Sequence, residues 1–261
     1  MIILVDSFDG YSDIWPAFFS IFKHYWPDCP YNIRLVSNNK DFEGVNVMKT
    51  CDEVSWSDRT LKAVEQLEEK YVLLLLEDYL LGEEVDSEII SDCLDFIEDN
   101  NAKYLRLTNI PASRFSSDDE NIHLLYKDEE YAVNLQASIW DRDFLIEALK
   151  KYSGNAWDFE LGFLSEAVNA EHLKLDGCYA LKKDPLSIHN GVLKGKWFPS
   201  ALRYYKQRGI EIEWKNRGKL SFKESFKYNL KVFVKNSISY NTRIRIKGLL
   251  KKLGVKFVSD L

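Results

Sequence analysis

The stretch Tyr71-Val72-Leu73-Leu74-Leu75-Leu76-Glu77-Asp78-Tyr79-Leu80-Leu81 decides the fold. Five consecutive aliphatic residues follow an aromatic one and run straight into two carboxylates. An amphipathic helical pattern leads into the run, which is short for a helix, so the reading is a parallel strand buried on both faces. Adjacent acids at its carboxyl end then fall in the crevice where open α/β sheets hold their ligands. A hydrophobic run inside a buried helix is the alternative.

Working outward, the same alternation recurs on both sides. Ile2–Val5 reads as a first strand ending at Asp6-Ser7, followed by a polar loop. Ser12 is placed to cap a helix with Ile14, Phe18, Ile21, Phe22 and Tyr25 inward, which should stop before Pro27. Residues 32–37 and 45–48 read as further strands, the latter at an edge. Ser57 is read as the cap of a helix to about Lys70. After the central strand, Asp86 or Ser87 opens a helix ending near Asn100, and 103–107 forms the next strand. This order predicts an α/β fold with a mostly parallel sheet and helices on both faces. Residues 109–121 read as a surface loop, and 122–126 and 131–139 as β-rich pieces. Asp141 and Asn155 are helix caps, and short strands at 178–181 and 186–189 close this half.

An apolar fraction of 46% with 14% aromatics supports a folded core. No stretch approaches the roughly 20 apolar residues of a membrane span. The amino terminus reaches an acid too early for a signal peptide, so a cytoplasmic chain is expected. Cys29, Cys51, Cys93 and Cys178 are widely spaced and read as reduced small hydrophobes. The net charge of −6 conceals a division. Residues 1–193 carry 17 Lys and Arg against 37 Asp and Glu, whereas residues 194–261 carry 18 against 4. The acidic body should repel nucleic acid, and the basic extension should seek an anionic surface. In 222–235, Phe222, Phe226, Leu230 and Val234 form a stripe at spacing four beside Lys223, Lys227, Lys231 and Lys235. Residues 242–253 repeat the idea. Such helices lie on a membrane interface or dock a partner; packing of the apolar stripe on the body is the alternative.

Phosphate-loop, dinucleotide, nucleophile-elbow and zinc-protease motifs are all missing. What remains is a set of carboxylates at strand ends, a late histidine and several tryptophans. Strand 71–76 with Glu77-Asp78-Tyr79 resembles the Asp-x-Asp region of GT-A glycosyltransferases of the bacterial surface-polysaccharide kind. The early run Asp6-Ser7-Phe8-Asp9-Gly10-Tyr11-Ser12-Asp13-Ile14-Trp15-Pro16 is similar to theirs as well. The likeness covers about residues 1–190 and implies a GT-A-like nucleotide-sugar-binding domain over 1–193 with a basic helical extension over 194–261.

A nucleotide-sugar donor carries a diphosphate leaving group whose growing charge must be neutralised by a divalent ion on carboxylates, or by Arg and Lys. Glu77 and Asp78 could hold Mg²⁺ or Mn²⁺. The family pattern has a further carboxylate where this chain has Tyr79, which leaves metal dependence open. His189 resembles the family's late metal-binding histidine; a structural hydrogen-bonding role is the alternative. Trp157-Asp158-Phe159-Glu160-Leu161 is similar to the segment in which inverting members place their base. The resemblance makes Asp158 the first candidate and Glu160 the second, with ordinary first-turn acids as the alternative. Asp6, Ser7 and Asp9 are placed to meet the nucleoside. Arg59 could reach the donor phosphates or base, or be a solvated helix charge. Gln136, Trp140 and Trp157 fit an acceptor platform, although burial is the commoner fate of tryptophan.

The expected function is inverting sugar transfer to a lipid-linked or surface glycan precursor. It would take place at the inner face of the plasma membrane, to which residues 222–253 would hold the enzyme. A sugar-phosphate nucleotidyltransferase and a non-catalytic membrane- or partner-binding module are the rivals. The former is disfavoured because the first loop carries no lysine.

Overall fold

A computed structural model describes residues 1–51, 54–112, 119–129, 131–165, 173–226 and 228. The chain divides into two compact units, Met1–Val192 and Leu193–Leu261.

In the first unit the described residues form a sheet of eight strands. These are β1 (Ile2–Asp6), β2 (Asn32–Ser37), β3 (Asn46–Lys49), β4 (Tyr71–Leu76), β6 (Tyr104–Arg106), β7 (Ile122–Tyr126), β8 (Ser138–Asp141) and β9 (Lys174–Leu181), in the spatial order β3-β2-β1-β4-β8-β6-β9-β7. A ninth strand, β5 (Tyr79–Leu81), leaves this sheet to pair antiparallel with β10 (Ile188–Asn190). β1 runs parallel to β2 and β4, and β6 runs parallel to β9. β8 is antiparallel to both β4 and β6, and β7 to β9. Six of the eight strands therefore point one way, and the expected mostly parallel α/β sheet is what the chain builds.

The central strands explain themselves. Every residue of β1 is buried, as is every residue of β4 up to Leu75, which is the environment their unbroken aliphatic runs require. Helices α1 (Trp15–Tyr25), α2 (Trp56–Val64), α3 (Ser87–Asp99), α4 (Arg142–Lys151) and α5 (Ala156–Ser165) accompany the sheet. α1 ends before Pro27 as the proline rule requires. Asp86 and Asp141 cap α3 and α4 through their carboxylates.

Two capping expectations are corrected. Ser12 does not cap α1; its hydroxyl accepts from Lys40 Nζ, its amide closes the turn at Asp9–Tyr11, and Ile14 stands at the N-cap of α1. Ser55 rather than Ser57 caps α2, accepting from the amide of Asp58, while Ser57 turns inward. α2 also stops at Val64 instead of near Lys70. Arg142 takes the carbonyls of Leu67 and Lys70, one through its guanidinium and one through its amide, and so draws that turn out of helical pairing.

The second unit contains α6 (Pro199–Gln207) and buries Trp197, Tyr205 and Leu220. Proline at the first turn of α6 is well placed because its missing N–H is not needed there. Residues 222–226 are helical, begun by a reciprocal cap. Ser221 N–H donates to the Glu224 carboxylate, and Glu224 N–H donates to Ser221 Oγ. The segment 242–253 lies outside the described residues. Among the described residues no helix is long and apolar enough to cross a membrane.

Candidate functional site

Parallel strands deliver their carboxyl ends to one rim, and Asp6 and Glu77 meet there. β1 ends at Asp6, in register with Leu76 of β4, so Asp6 and Glu77 are neighbours. Asp6 is buried, and its Oδ2 accepts from the Thr60 hydroxyl of α2 at 3.0 Å. Its Oδ1 lies 3.9 Å from Arg59 Nε, and each of these buried atoms lacks a hydrogen bond. Burial raises the Asp6 pKa, while Arg59 and Thr60 pull it back. The Arg59 guanidinium also covers the Phe8 ring at 5.4 Å. Arg59 is thus held at the rim rather than solvated on a helix face.

Glu77 is 6% exposed. Its pKa is pushed well up, first by burial, then by the Asp78 charge, with Asp6 adding to both. A carboxyl so placed holds a proton beyond the usual range. The Asp78 carbonyl accepts from Gly191 N–H at 2.7 Å, which helps fasten β10 beside β5. His189 pairs in register with Leu80. A Cβ at Gly82 would stand 2.4 Å from the His189 ring, so only glycine admits the imidazole there. The late histidine is therefore carried on the strand paired with the one following Glu77-Asp78. Among the described residues, however, no three His, Cys, Asp or Glu side chains gather into a metal-holding group.

Ser7 and Asp9 are engaged in building the first loop. Ser7 Oγ accepts from Trp15 Nε1 at 2.7 Å. The Asp9 carboxylate accepts from the amides of Asn38, Asn39 and Lys40, and Asn38 Oδ1 accepts from the Asp9 amide. Lys40 Nζ donates to the Asp9 carbonyl. The first loop thus acquires a lysine from the turn after β2, although it has none of its own.

The antiparallel strand β8 starts at this same rim. Its register sets Ser138 opposite Leu74 and opposite Arg106, so residues just before Ser138 lie toward Leu76 and Leu107. Gln136 occupies that stretch, and its Oε1 accepts from Thr108 Oγ1 at 2.9 Å. Trp140 is a correction. It is the third residue of β8, inside the sheet. It is fully buried, donates to Ser138 Oγ, and packs on Tyr104 with ring centroids 4.4 Å apart. It is a core residue and not an acceptor platform. Trp157 is 59% exposed.

The two candidate bases part company. Asn155 Oδ1 accepts from the amides of Trp157 and Asp158, and Asp158 Oδ2 accepts from the Asn155 amide at 3.0 Å. Asp158 is thus the reciprocal member of a capping box that starts α5. Glu160 lies half-buried, and its Oε1 accepts from the Leu135 amide at 2.8 Å, beside Gln136. Burial raises its pKa and the Leu135 amide partly offsets this.

Residues outside the candidate set hold the rim together. Ser57 Oγ accepts from Gly154 N–H at 2.7 Å and donates to the Gly154 carbonyl, which also takes the Ser57 amide. One turn on, Thr60 reaches Asp6, so the first turns of α2 bind the β1 end to the start of α5. Arg106 is fully buried and donates to the carbonyls of Thr108, Pro111, Tyr131 and Ala132. A lone arginine between Leu105 and Leu107 in a buried strand was the available signal for it.

No family model matches the chain, and no curated protein does either. Among solved structures, S. aureus TarS 1–349 is similar at TM-score 0.41 and 13% identity, covering 69% of this chain and 60% of that one. Its complex with UDP-GlcNAc is similar at TM-score 0.41 and 13% identity, covering 69% and 58%. A CMP:2-keto-3-deoxy-manno-octonic acid synthetase complexed with CTP reaches TM-score 0.42 at 12% identity, covering 69% and 87%. The chain thus spans about three fifths of the length of TarS 1–349. Likenesses this weak carry no weight for function, which rests on the rim itself.

Proposed function

We propose that the chain is an inverting glycosyltransferase with a GT-A-like domain, moving a sugar from a nucleotide-sugar donor to a glycan precursor. The observation that carries this reading is Glu160. It is a half-buried carboxylate with a raised pKa, fixed through Leu135 beside Gln136 at the carboxyl rim of the sheet. A base works best with a pKa near the operating pH, and Glu160 is moved in that direction, whereas Asp158 is occupied in its cap.

In the reaction, Glu160 accepts the proton of an acceptor hydroxyl as that oxygen bonds to the anomeric carbon. The bond from that carbon to the diphosphate breaks on the opposite face, and the electron pair leaves with the nucleotide. Arg59 supplies positive charge at the rim, and Asp6 with Glu77 faces the nucleoside side of the donor. Gln136 orients the acceptor.

Glu160→Gln should lower donor turnover by about 10²–10⁴-fold while a nucleotide-induced rise in melting temperature persists. In the parent enzyme, turnover should climb with pH through the raised Glu160 value, and the variant should lack that limb. Undiminished turnover in Glu160→Gln would overturn the assignment. Pyrophosphate release from a nucleoside triphosphate and a sugar 1-phosphate, with no donor turnover, would instead identify a nucleotidyltransferase.

A further inference from the structure

The helix that opens at Ser221 presents two faces with opposite fates. Tyr228 packs edge-on against Phe198 within the second unit, at a centroid distance of 5.3 Å. Phe222 and Phe226, one turn apart on another side of the helix, are 87% and 59% exposed and stack on each other at 6.4 Å. The first two members of the apolar stripe are thus exposed. Scattered exposed apolar residues are ordinary, but a stacked aromatic pair left in solvent at the head of an amphipathic stripe is not.

Charge says what covers it. Between residues 193 and 226 there are nine Lys and Arg against three Glu, and eight of the nine cations are exposed. Lys223 stands directly beside Phe222, and the sequence continues both stripes through Leu230 and Val234 and through Lys227, Lys231 and Lys235. A protein partner's apolar groove would satisfy the phenylalanines without needing the surrounding cations. An anionic lipid leaflet takes both, with aromatic rings at the acyl boundary and lysines among the headgroups.

We propose that Phe222 and Phe226, together with the exposed lysines and arginines of the second unit, form a docking surface for an anionic lipid bilayer. This holds independently of the reaction at the rim. The test is sedimentation of the full chain with vesicles of phosphatidylcholine alone, or with about 30% phosphatidylglycerol, at low and high salt. The parent should partition onto the anionic vesicles only, and salt should weaken it. Phe222→Ser should reduce partitioning by about tenfold, and Phe222→Ser with Phe226→Ser further, with unchanged melting temperature because both side chains are already in solvent. No partitioning of the parent would overturn the proposal. So would equal partitioning of the Phe222→Ser variant, because charge alone would then suffice. A loss of self-association on light scattering in the variants, with vesicle binding intact, would reassign the pair to contact between two copies of the chain.

Discussion

Ser57→Ala is the most informative single perturbation of the first unit. Ser57 is fully buried, and its hydroxyl accepts the Gly154 amide at 2.7 Å and donates to the Gly154 carbonyl at 3.1 Å. Alanine removes both bonds and the 3.0 Å contact with the Ser55 hydroxyl, which keeps Asp58, so the losses are unequal. The Gly154 carbonyl keeps the Ser57 amide, at 3.1 Å, so only the Gly154 N–H is orphaned. An unsatisfied buried donor costs about 1–3 kcal/mol, and since Gly154 is only half-buried the lower part of that range applies, about 1–2 kcal/mol. For a folding unit of this size, each kcal/mol lowers the melting temperature by about 2–4 °C, so a fall of about 2–8 °C is expected by calorimetry. Asn155→Ala, which deletes the α5 cap, should cost about 0.5–2 kcal/mol alone. Because both residues hold the same loop, the double variant should lose less than the sum by at least about 0.5 kcal/mol. A melting temperature for Ser57→Ala within about 1 °C of the parent, or strict additivity with Asn155→Ala, would refute the idea that α2 anchors the α5 entrance.

Two further outcomes follow from burial. Trp140→Ala should cost about 3–5 kcal/mol in a urea titration, whereas Trp157→Ala, exposed on α5, should stay within about 0.5 kcal/mol. Glu77, with its folded pKa raised by burial and by Asp78, binds its proton more tightly folded than unfolded. Its contribution is therefore present below the ordinary carboxyl value and is lost as pH rises through the raised one. Glu77→Gln should flatten that decline and raise the urea midpoint at alkaline pH relative to the parent; an unchanged pH slope would show that Glu77 does not titrate there.

The chemistry of β1 and β4 was open to reading because a strand buried on both faces reads as a near-continuous apolar run, and its polar terminus then marks the rim. The caps at Asp86, Asp141 and Asn155 were equally legible, since each joins a short acceptor side chain to an apolar periodic run. What could not be read were bonds between distant segments. Ser57 looks like a helix cap, and only the arrival of Gly154 gives it another task. Trp140 looked like a sugar platform because the direction of β8, inward from the rim, is a tertiary fact. Asp158 and Glu160 stand two residues apart, and their different occupations depend on which of them meets Leu135.

The four carbonyls held by Arg106 belong to two chain segments, 108–111 and 131–132, on either side of Gln136 and Leu135. A rigid planar fork cannot release one segment and keep its grip on the other without stranding a charge in the interior. The two loops are therefore mechanically one part. A shift of the stretch around Pro111 therefore pulls on residues 131–132, which end three residues before the Leu135 amide that holds Glu160.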